Sequence, residues 1–218
     1  MAARGRPRTF DRDAALAAAM EVFWRKGYSA TSMTDLCTAM GINAPSLYAA
    51  FGSKAALYAE AITYYAEVTT PLIWGQIEAV PTAYAAVESV LMGSAANLPA
   101  SDNPAGCMVT LSSVGQEGEA RLGALVAETR AQGEQLVAAR LTRAVAEGEL
   151  PASIDVRKIA RFFACVQQGM SIQARDGAGR EELEAVARAA LLAWPALTAA
   201  DAPRSAGTEP APPVPPAQ

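Results

Sequence analysis

Two short amphipathic segments joined by a glycine lie between residues 31 and 54, in the run TSMTDLCTAMGINAPSLYAAFGSK. Ser32 followed three residues later by Asp35 is a capping box, so we expect a helix to begin at Met33. Gly41 is expected to end that helix, because a residue without a Cβ adopts the left-handed conformation without strain. The spacing predicts two helices joined by a tight turn.

The second of these helices is predicted from about Ala44 to Ala50, with Asn43 as its N-cap and Pro45 in its first turn. Helical geometry turns Leu47 inward with Ala50. The outward positions are Pro45, Ser46, Tyr48 and Ala49. Two helices joined by a short turn containing glycine are typical of the helix-turn-helix, whose second helix enters the major groove of DNA. An ordinary helical hairpin inside a bundle is the alternative.

Residues 9–58 resemble the DNA-binding domain of the TetR family of bacterial transcriptional repressors. The resemblance is carried by FWRKGY at the end of the first predicted helix, TSMTDLC in the second, and GINAPSLYAAFGSK across the recognition helix and the start of the fourth. It implies a three-helix DNA-binding head, a helical body that binds a small molecule and dimerises, and repression that the small molecule relieves.

Histidine is absent from the 218 residues, which removes the commonest general base and the commonest metal ligand. The three cysteines, Cys37, Cys107 and Cys165, form no CxxC pair, so no zinc site or disulfide framework is predicted. We therefore expect no enzymatic activity, no metal and no cofactor. A helical enzyme or interaction module with a fortuitous hairpin is the rival class.

The net charge of −4 is unevenly distributed. Residues 1–54 contain seven basic and four acidic side chains, a balance of +3, so the remainder carries −7. This asymmetry suits a basic head that meets phosphate, although a solvated charged N-terminus is the alternative.

No run of about eighteen apolar residues predicts a membrane span, and the first ten residues lack the apolar stretch of a secretory signal. We expect a cytoplasmic protein with no membrane partner.

Helical periodicity and sparse β-branched residues predict an all-α fold of about nine helices. We expect a first helix from an Asp11 cap to about Lys26 and a fourth from a Ser53 cap towards Trp74. Later helices are expected near 82–98, 106–116, 119–148, 155–175 and 180–197. The predicted domains are a DNA-binding domain at 1–54 with a basic arm at 1–9, a ligand-binding and dimerisation domain at 55–200, and a disordered Pro/Ala-rich tail at 201–218.

The outward face of the recognition helix has little polar capacity for reading bases, since it offers neither Arg nor Gln. We therefore expect recognition of the DNA sequence to depend on contacts with thymine methyl groups and on readout of DNA shape. By resemblance, Tyr48 and Lys54 match family positions that touch phosphate, and Thr31 and Ser32 match contacts at the start of the second helix. Ala49 departs from members that carry a larger polar group there. Packing of Tyr48 on the first helix and plain solvation of Lys54 are the alternatives.

The N-terminal arm alternates arginines with Gly5 and Pro7, which suits a minor-groove or backbone track, with simple disorder as the alternative. The complete predicted set of DNA-binding residues is Arg4, Arg6, Arg8, Thr31, Ser32, Asn43, Ala44, Pro45, Ser46, Tyr48 and Lys54.

Aromatic, methionine and cysteine side chains in the predicted body are suited to lining an apolar cavity for an unknown small-molecule effector, with core packing as the alternative for each. The candidates are Tyr65, Trp74, Tyr84, Met92, Cys107, Met108, Phe163 and Met170. Cys107 is predicted at the start of a helix, where free N–H groups favour a thiolate. The segment PAGCMV also resembles a TetR subgroup in which a cysteine here senses electrophiles or oxidants in some members. A buried structural thiol is the alternative.

The last two predicted helices carry apolar stripes that favour dimerisation, with Phe162, Val166, Leu183, Val186, Ala190, Leu191 and Trp194 as interface candidates. Two such helices per subunit make a four-helix interface. A two-fold dimer requires a palindromic operator in double-stranded DNA. The sequence thus predicts a homodimeric, ligand-released repressor. A TetR-like activator, a DNA binder without an effector, and a thiol sensor acting through Cys107 remain as alternatives.

Overall fold

The computed structural model describes residues 10–99 and 103–199, where the chain forms helices and turns with no strand. The helices are α1 Arg12–Lys26, α2 Met33–Met40, α3 Ala44–Phe51, α4 Lys54–Trp74, α5 Ala83–Asn97, α6 Ala120–Ala146, α7 Val156–Arg175, α8 Arg180–Leu191 and α9 Trp194–Thr198. The predicted all-α fold is confirmed. Arg4, Arg6, Arg8 and the tail at 201–218 lie outside the described residues. Every helix in the described ranges is too short or too polar to span a lipid bilayer.

Side chains fix where the first helices begin and end. The Asp11 carboxylate accepts two backbone hydrogen bonds at the start of α1. Ser32 and Asp35 form the predicted capping box at the start of α2. Gly41 ends α2 in the left-handed conformation, with a φ of 65°. These predicted boundaries are confirmed, because each cap satisfies backbone groups that the helix itself leaves unpaired.

A first hydrophobic core, hereafter the first core, joins α1, α2 and α3 to the first half of α4. Leu36 of α2 and Leu47 of α3 are both fully enclosed in it. The Phe23 ring of α1 lies edge-on to the Tyr58 ring of α4, with 4.9 Å between ring centroids. These contacts hold α2 and α3 against α1, and the three helices are called the head below.

The first core continues beyond the head into residues 103–119, hereafter the connecting loop, and into the start of α6. Met108 and Val114 of the connecting loop and Leu122 of α6 are buried in it. Trp74, at the other end of α4, packs against a second core formed mainly by α5, α7 and α8. The single helix α4 is therefore in contact with both cores.

The second core includes a buried ion pair as well as apolar side chains. The Arg140 side chain is 1% exposed, and its Nη2 donates to the Pro81 carbonyl at 3.2 Å and to Glu149 at 3.4 Å. The other carboxylate oxygen of Glu149 accepts a hydrogen bond from the Ala83 N–H at 2.5 Å. The pair thus joins the end of α6 to the start of α5.

The predicted helix at 106–116 is wrong. The connecting loop has turns there, with a single helical hydrogen bond from the Leu111 N–H to the Cys107 carbonyl at 3.0 Å. Gly106 has a φ of 76°, and an added Cβ would lie 2.7 Å from the Ser171 carbonyl oxygen of α7. The segment therefore packs closely on α7 in a series of turns and does not form a regular helix.

The predicted single helix at 180–197 is also wrong, since α8 ends at Leu191 and α9 begins at Trp194. Pro195 accounts for the break. It has no N–H to donate to the Leu191 carbonyl, and its ring would clash with that carbonyl if one helix continued.

Leu47→Asp is expected to destabilise the first core by roughly 3 kcal/mol or more, because the carboxylate would be buried without a partner. Operator binding should be lost in an electrophoretic mobility shift, while size-exclusion chromatography finds the wild-type assembly state. Leu47→Met, which conserves volume, is the matched control and should retain binding. Normal DNA affinity of Leu47→Asp, or loss of the assembly, would contradict this expectation.

Candidate functional site

The recognition helix α3 presents a mostly small and weakly polar face to solvent. Leu47 and Phe51 point into the first core, whereas Pro45, Tyr48 and Ala49 are exposed. The Tyr48 side chain is 49% exposed. Its alternative role as a partly buried packing residue is therefore not supported, and its hydroxyl-bearing ring faces solvent.

The start of α3 is fixed by the predicted cap. The Asn43 side-chain oxygen accepts a hydrogen bond from the Ser46 N–H at 2.9 Å, and Asn43 itself is exposed. Ala44 and Ser46 in the first turn are half-buried. Side chains on this turn lie beside the exposed Tyr48, so the residues predicted to meet DNA on α3 form one continuous surface.

Ser32 and Thr31, both predicted to contact DNA, differ in exposure. Ser32 is exposed at the N-terminus of α2, and its hydroxyl donates to the Asp35 carboxylate at 2.7 Å. Thr31 is 1% exposed, and its hydroxyl donates to the Gly27 carbonyl at 2.6 Å. The prediction of a DNA contact from the Thr31 side chain is wrong, because that side chain closes the turn between α1 and α2.

An ion pair also connects the N-terminus of α2 to the end of α1. The Nζ of Lys26 lies 2.7 Å from the Asp35 carboxylate. This ion pair, together with hydrogen bonds from Ser32, holds the pKa of Asp35 well below its ordinary range. Asp35 therefore stays ionised and keeps the capping box closed at neutral pH.

Lys54 is the first residue of α4 and stands beside the turn that follows α1. Its ammonium group lies 4.4 Å from the centroid of the Tyr28 ring. The Tyr28 hydroxyl in turn donates to Glu119 of the connecting loop at 3.2 Å. Partial burial and then this hydrogen bond raise the pKa of Tyr28. The ammonium group of Lys54 therefore packs on the face of an aromatic ring. Plain solvation, the alternative for Lys54, does not describe this contact.

A cavity of about 100 Å³ lies between α4, α6, α7 and the connecting loop. Three predicted ligand residues line it, namely Tyr65, Trp74 and Cys107. An added Cβ on Gly133 of α6 would lie 2.8 Å from the Trp74 ring, so glycine permits the close approach of that indole to α6. The lining also includes Thr69, Thr70, Ile73, Val109, Thr110, Thr129, Arg130, Glu134, Leu136, Gln167 and Gln168.

The other predicted pocket residues do not line this cavity. Met108 is buried in the first core, and Phe163 and Met170 are buried in the second. Met92 packs at the edge of the second core, and the Tyr84 ring lies edge-on to Trp194. These five assignments are wrong for this cavity, since core packing accounts for four of them and Tyr84 lies at the surface against Trp194. Sequence reasoning missed the polar residues of α6 and α7, which no motif distinguishes from a solvated helix face.

Cys107 was predicted at the start of a helix, but it lies in the connecting loop. Its backbone N–H donates to the Ser171 hydroxyl at 2.7 Å, and its sulfur accepts a hydrogen bond from the Thr110 N–H at 3.5 Å. Burial, and then the neighbouring Cys107, raise the pKa of Tyr65 far above its ordinary range. The thiol therefore sits in the cavity wall beside a protonated phenol.

The predicted dimerisation residues divide into two groups. Leu183 and Leu191 are buried in the second core of their own chain, so their assignment to an interface is wrong. Val186 is 43% exposed. Phe162, Val166, Ala190 and Trp194 are half-buried. Two further apolar side chains were not among the predicted interface residues. Ile172 of α7 is 48% exposed, and Leu192, directly after α8, is 82% exposed.

Hydrogen bonds connect the head to the connecting loop and to α7. The guanidinium of Arg175 donates to the Trp24 carbonyl at 3.1 Å and to the Ala105 carbonyl at 2.8 Å. The Trp24 indole N–H donates to the Gly106 carbonyl at 3.0 Å. The Ser29 hydroxyl donates to Glu117 at 2.7 Å. The connecting loop thus touches the head at one end of α1 and the cavity at Cys107.

Comparisons with known proteins agree with this geometry. Residues 15–61 match the family described as bacterial regulatory proteins, tetR family. The chain is similar to the HTH-type transcriptional repressor ComR of Escherichia coli (strain K12), with 36% identity over 89% of this chain and 93% of that protein. The repressor BdcR of the same strain is 31% identical over 84% of this chain and 88% of that protein.

Solved structures of TetR family regulators are also similar to this chain. A cysteine mutant of the TetR family transcriptional regulator CifR, complexed with 26-bp double-strand operator DNA, superposes with a TM-score of 0.82. It is 41% identical to this chain and covers 88% of it, with all of that protein matched. A TetR transcriptional regulator from Rhodococcus sp. RHA1 is 38% identical over 86% of this chain and 99% of its own, with a TM-score of 0.53.

Lys54→Gln is expected to weaken binding about equally for all DNA sequences, because a phosphate contact positions and does not specify. Each lost contact should reduce the slope of log affinity against log salt by about 0.9, measured by fluorescence anisotropy from 50 to 200 mM salt. The matched control is Lys158→Gln, an exposed lysine of α7, which should leave the slope unchanged. An unaltered slope in Lys54→Gln would refute the assignment.

Proposed function

The chain belongs to the TetR family of bacterial regulatory proteins and is a DNA-binding transcriptional regulator, and from this premise we propose that it is a dimeric repressor released from a palindromic operator by a small molecule. One observation carries the proposal: the connecting loop is hydrogen-bonded to the head and also lines the internal cavity. Its site of action is then the cytoplasm, where bacterial operator DNA lies.

The proposed DNA contacts divide by role. On α3, Ala44, Pro45 and Ser46 are proposed to face the major groove, where small side chains contact base edges and thymine methyl groups. Tyr48 of the same helix is proposed to meet phosphate. Ser32, Asn43 and Lys54 stand at the ends of helices and are proposed to meet phosphates, which positions the head on the duplex. The DNA-binding domain is proposed to comprise residues 1–54, with the arm at 1–9 and its three arginines tracking the backbone or minor groove. Residues 55–200 are proposed to form the body.

Release requires only that the ligand prefer one arrangement of the head over another. A molecule in the cavity meets Cys107 and Thr110, and the same loop holds α1 through Ala105 and Gly106. Displacement of the loop therefore shifts the head relative to α7. In a dimer, such a shift changes the spacing of the two recognition helices, and half-site spacing is set by geometry.

The proposed dimer uses the outer faces of α7 and α8. Apolar side chains remain accessible there in the single chain, including Val186 at 43% and Ile172 at 48% exposure. Two helices from each subunit form a four-helix interface. A two-fold axis through it presents two heads to the two halves of a palindrome.

The test is a titration of the full chain with DNA from upstream of its own gene. If the two subunits together neutralise about six phosphates, affinity should fall roughly 10³-fold between 50 and 200 mM salt. Footprinting should protect a quasi-palindrome, and light scattering should give two subunits per site. A flat salt response or protection of a single half-site would overturn the proposal.

A second candidate function is thiol sensing through Cys107, favoured by the position of its sulfur in the cavity wall beside Tyr65. The thiolate would add to an electron-poor alkene, forming a carbon–sulfur bond while the neighbouring carbon takes up a proton from water. The adduct would occupy the cavity covalently, so the response is the one proposed for a bound ligand.

Cys107→Ser separates these two functions. N-ethylmaleimide should release operator DNA from a Cys37→Ser, Cys165→Ser protein and should not release it once Cys107 is also serine, as followed by anisotropy with mass spectrometry of the adduct. The double variant is the matched control, because Cys37 and Cys165 are also free thiols. Unchanged release from the triple variant would exclude sensing at Cys107.

A further inference from the structure

The cavity wall contains a guanidinium that no described carboxylate neutralises. Arg130 of α6 lines the cavity, and its Nη2 donates to the carbonyl oxygens of Val109 and Ser112, each at 3.2 Å. Its Nε is buried, with no hydrogen-bond partner among the described residues. A guanidinium has five N–H donors, so most of its donor capacity is unused.

A second polar side chain in the same wall faces the cavity. The Gln167 side chain of α7 is 6% exposed and lines the cavity, and within residues 10–99 and 103–199 its amide makes no hydrogen bond. A side-chain amide can both donate and accept hydrogen bonds. This amide therefore offers hydrogen bonds to a polar group in the cavity.

The lining contains one positive and one negative side chain, Arg130 and Glu134. Glu134 also lines the cavity, but the Nε of Arg161 lies 2.8 Å from its carboxylate. That pair neutralises the acid and leaves the Arg130 charge uncompensated by any described ion pair. A single partly buried positive charge favours a ligand with a single negative charge.

The remainder of the cavity is suited to an apolar body. Ile73, Trp74 and Leu136 line it, and Trp74 and Leu136 continue into an outer groove of about 730 Å³ between α4 and α6. The groove also carries Glu67, Glu78 and Glu128. These acids disfavour ligands with several negative charges, because like charges repel across a low-dielectric surface.

We infer that the effector is a small amphipathic organic monocarboxylate, with its carboxylate against Arg130 and Gln167 and its apolar body along Trp74 and Leu136. The inference rests on the proposed function, since it names the class of ligand for the same cavity. A planar carboxylate matches the guanidinium fork, and charge-assisted hydrogen bonds of this kind are stronger than bonds to neutral carbonyls.

The same contact explains how such a ligand would act on the head. The carbonyls of Val109 and Ser112 that hold Arg130 belong to the connecting loop. A carboxylate that accepts from the free N–H groups of Arg130 also draws the guanidinium away from these two neutral acceptors, which loosens the loop from α6. The loop then transmits the change to α1 through the hydrogen bond of Gly106 with Trp24.

The test is isothermal titration of the full chain with hexanoate and benzoate and with their neutral amides, hexanamide and benzamide. At least one acid should bind about tenfold or more tightly than its amide, because only the acid makes a charge-assisted contact. Arg130→Gln should abolish the preference, and Arg130→Lys should retain part of it. The matched control is Arg121→Gln, an exposed arginine of the same helix, which should keep it.

Arg130→Gln also removes two contacts to the connecting loop, so Gln167→Met supplies a second variant that leaves those contacts in place. It should lower acid affinity several-fold and leave amide affinity closer to its original value. Equal affinity for acids and amides, absence of acid binding, or a preference that survives Arg130→Gln would overturn the inference. Acid binding that depends on Arg130 without operator release would uphold the class of ligand assigned to the cavity and refute the proposed release of the operator through that cavity.

Discussion

The burial of Leu47 in the first core determines which face of α3 is exposed, and the regulator depends on that exposure. With Leu47 and Phe51 fixed inward, Pro45, Tyr48 and Ala49 are the exposed side chains of α3. The face has little hydrogen-bonding capacity, so affinity must come largely from phosphate contacts and shape. Packing of one leucine thus sets both the position and the chemical character of the DNA-binding surface.

The head is not independent of the rest of the chain, because the first core includes the connecting loop. Arg175 holds Trp24 and Ala105 together, and Ser29 is bound to Glu117. Hydrogen bonds and apolar packing therefore act on the same loop that lines the cavity. This loop is the physical route that the proposed release by a ligand would use to reach the DNA-binding surface.

Local chemistry explains why the beginning of the chain was predicted well. The caps at Ser32 and Asn43 and the left-handed Gly41 are decided by neighbours within a few residues. The connecting loop was predicted poorly for the opposite reason. Its Gly106 packs on Ser171, which is far away in the sequence, and its Gly115 packs on Gly123 at the start of α6. Neither close approach follows from helical periodicity.

The sequence by itself determined the first four helices, their caps and which residues of α3 share a face, because these follow from spacing over one or two turns. Its motifs identified the family. Only the tertiary structure decided what each apolar face packs against. It put Leu183 in the chain's own core and Val186 at the surface, and it brought Arg130 and Gln167 into one cavity. Helical periodicity specifies which residues share a face, but the partner of that face is chosen by packing between helices.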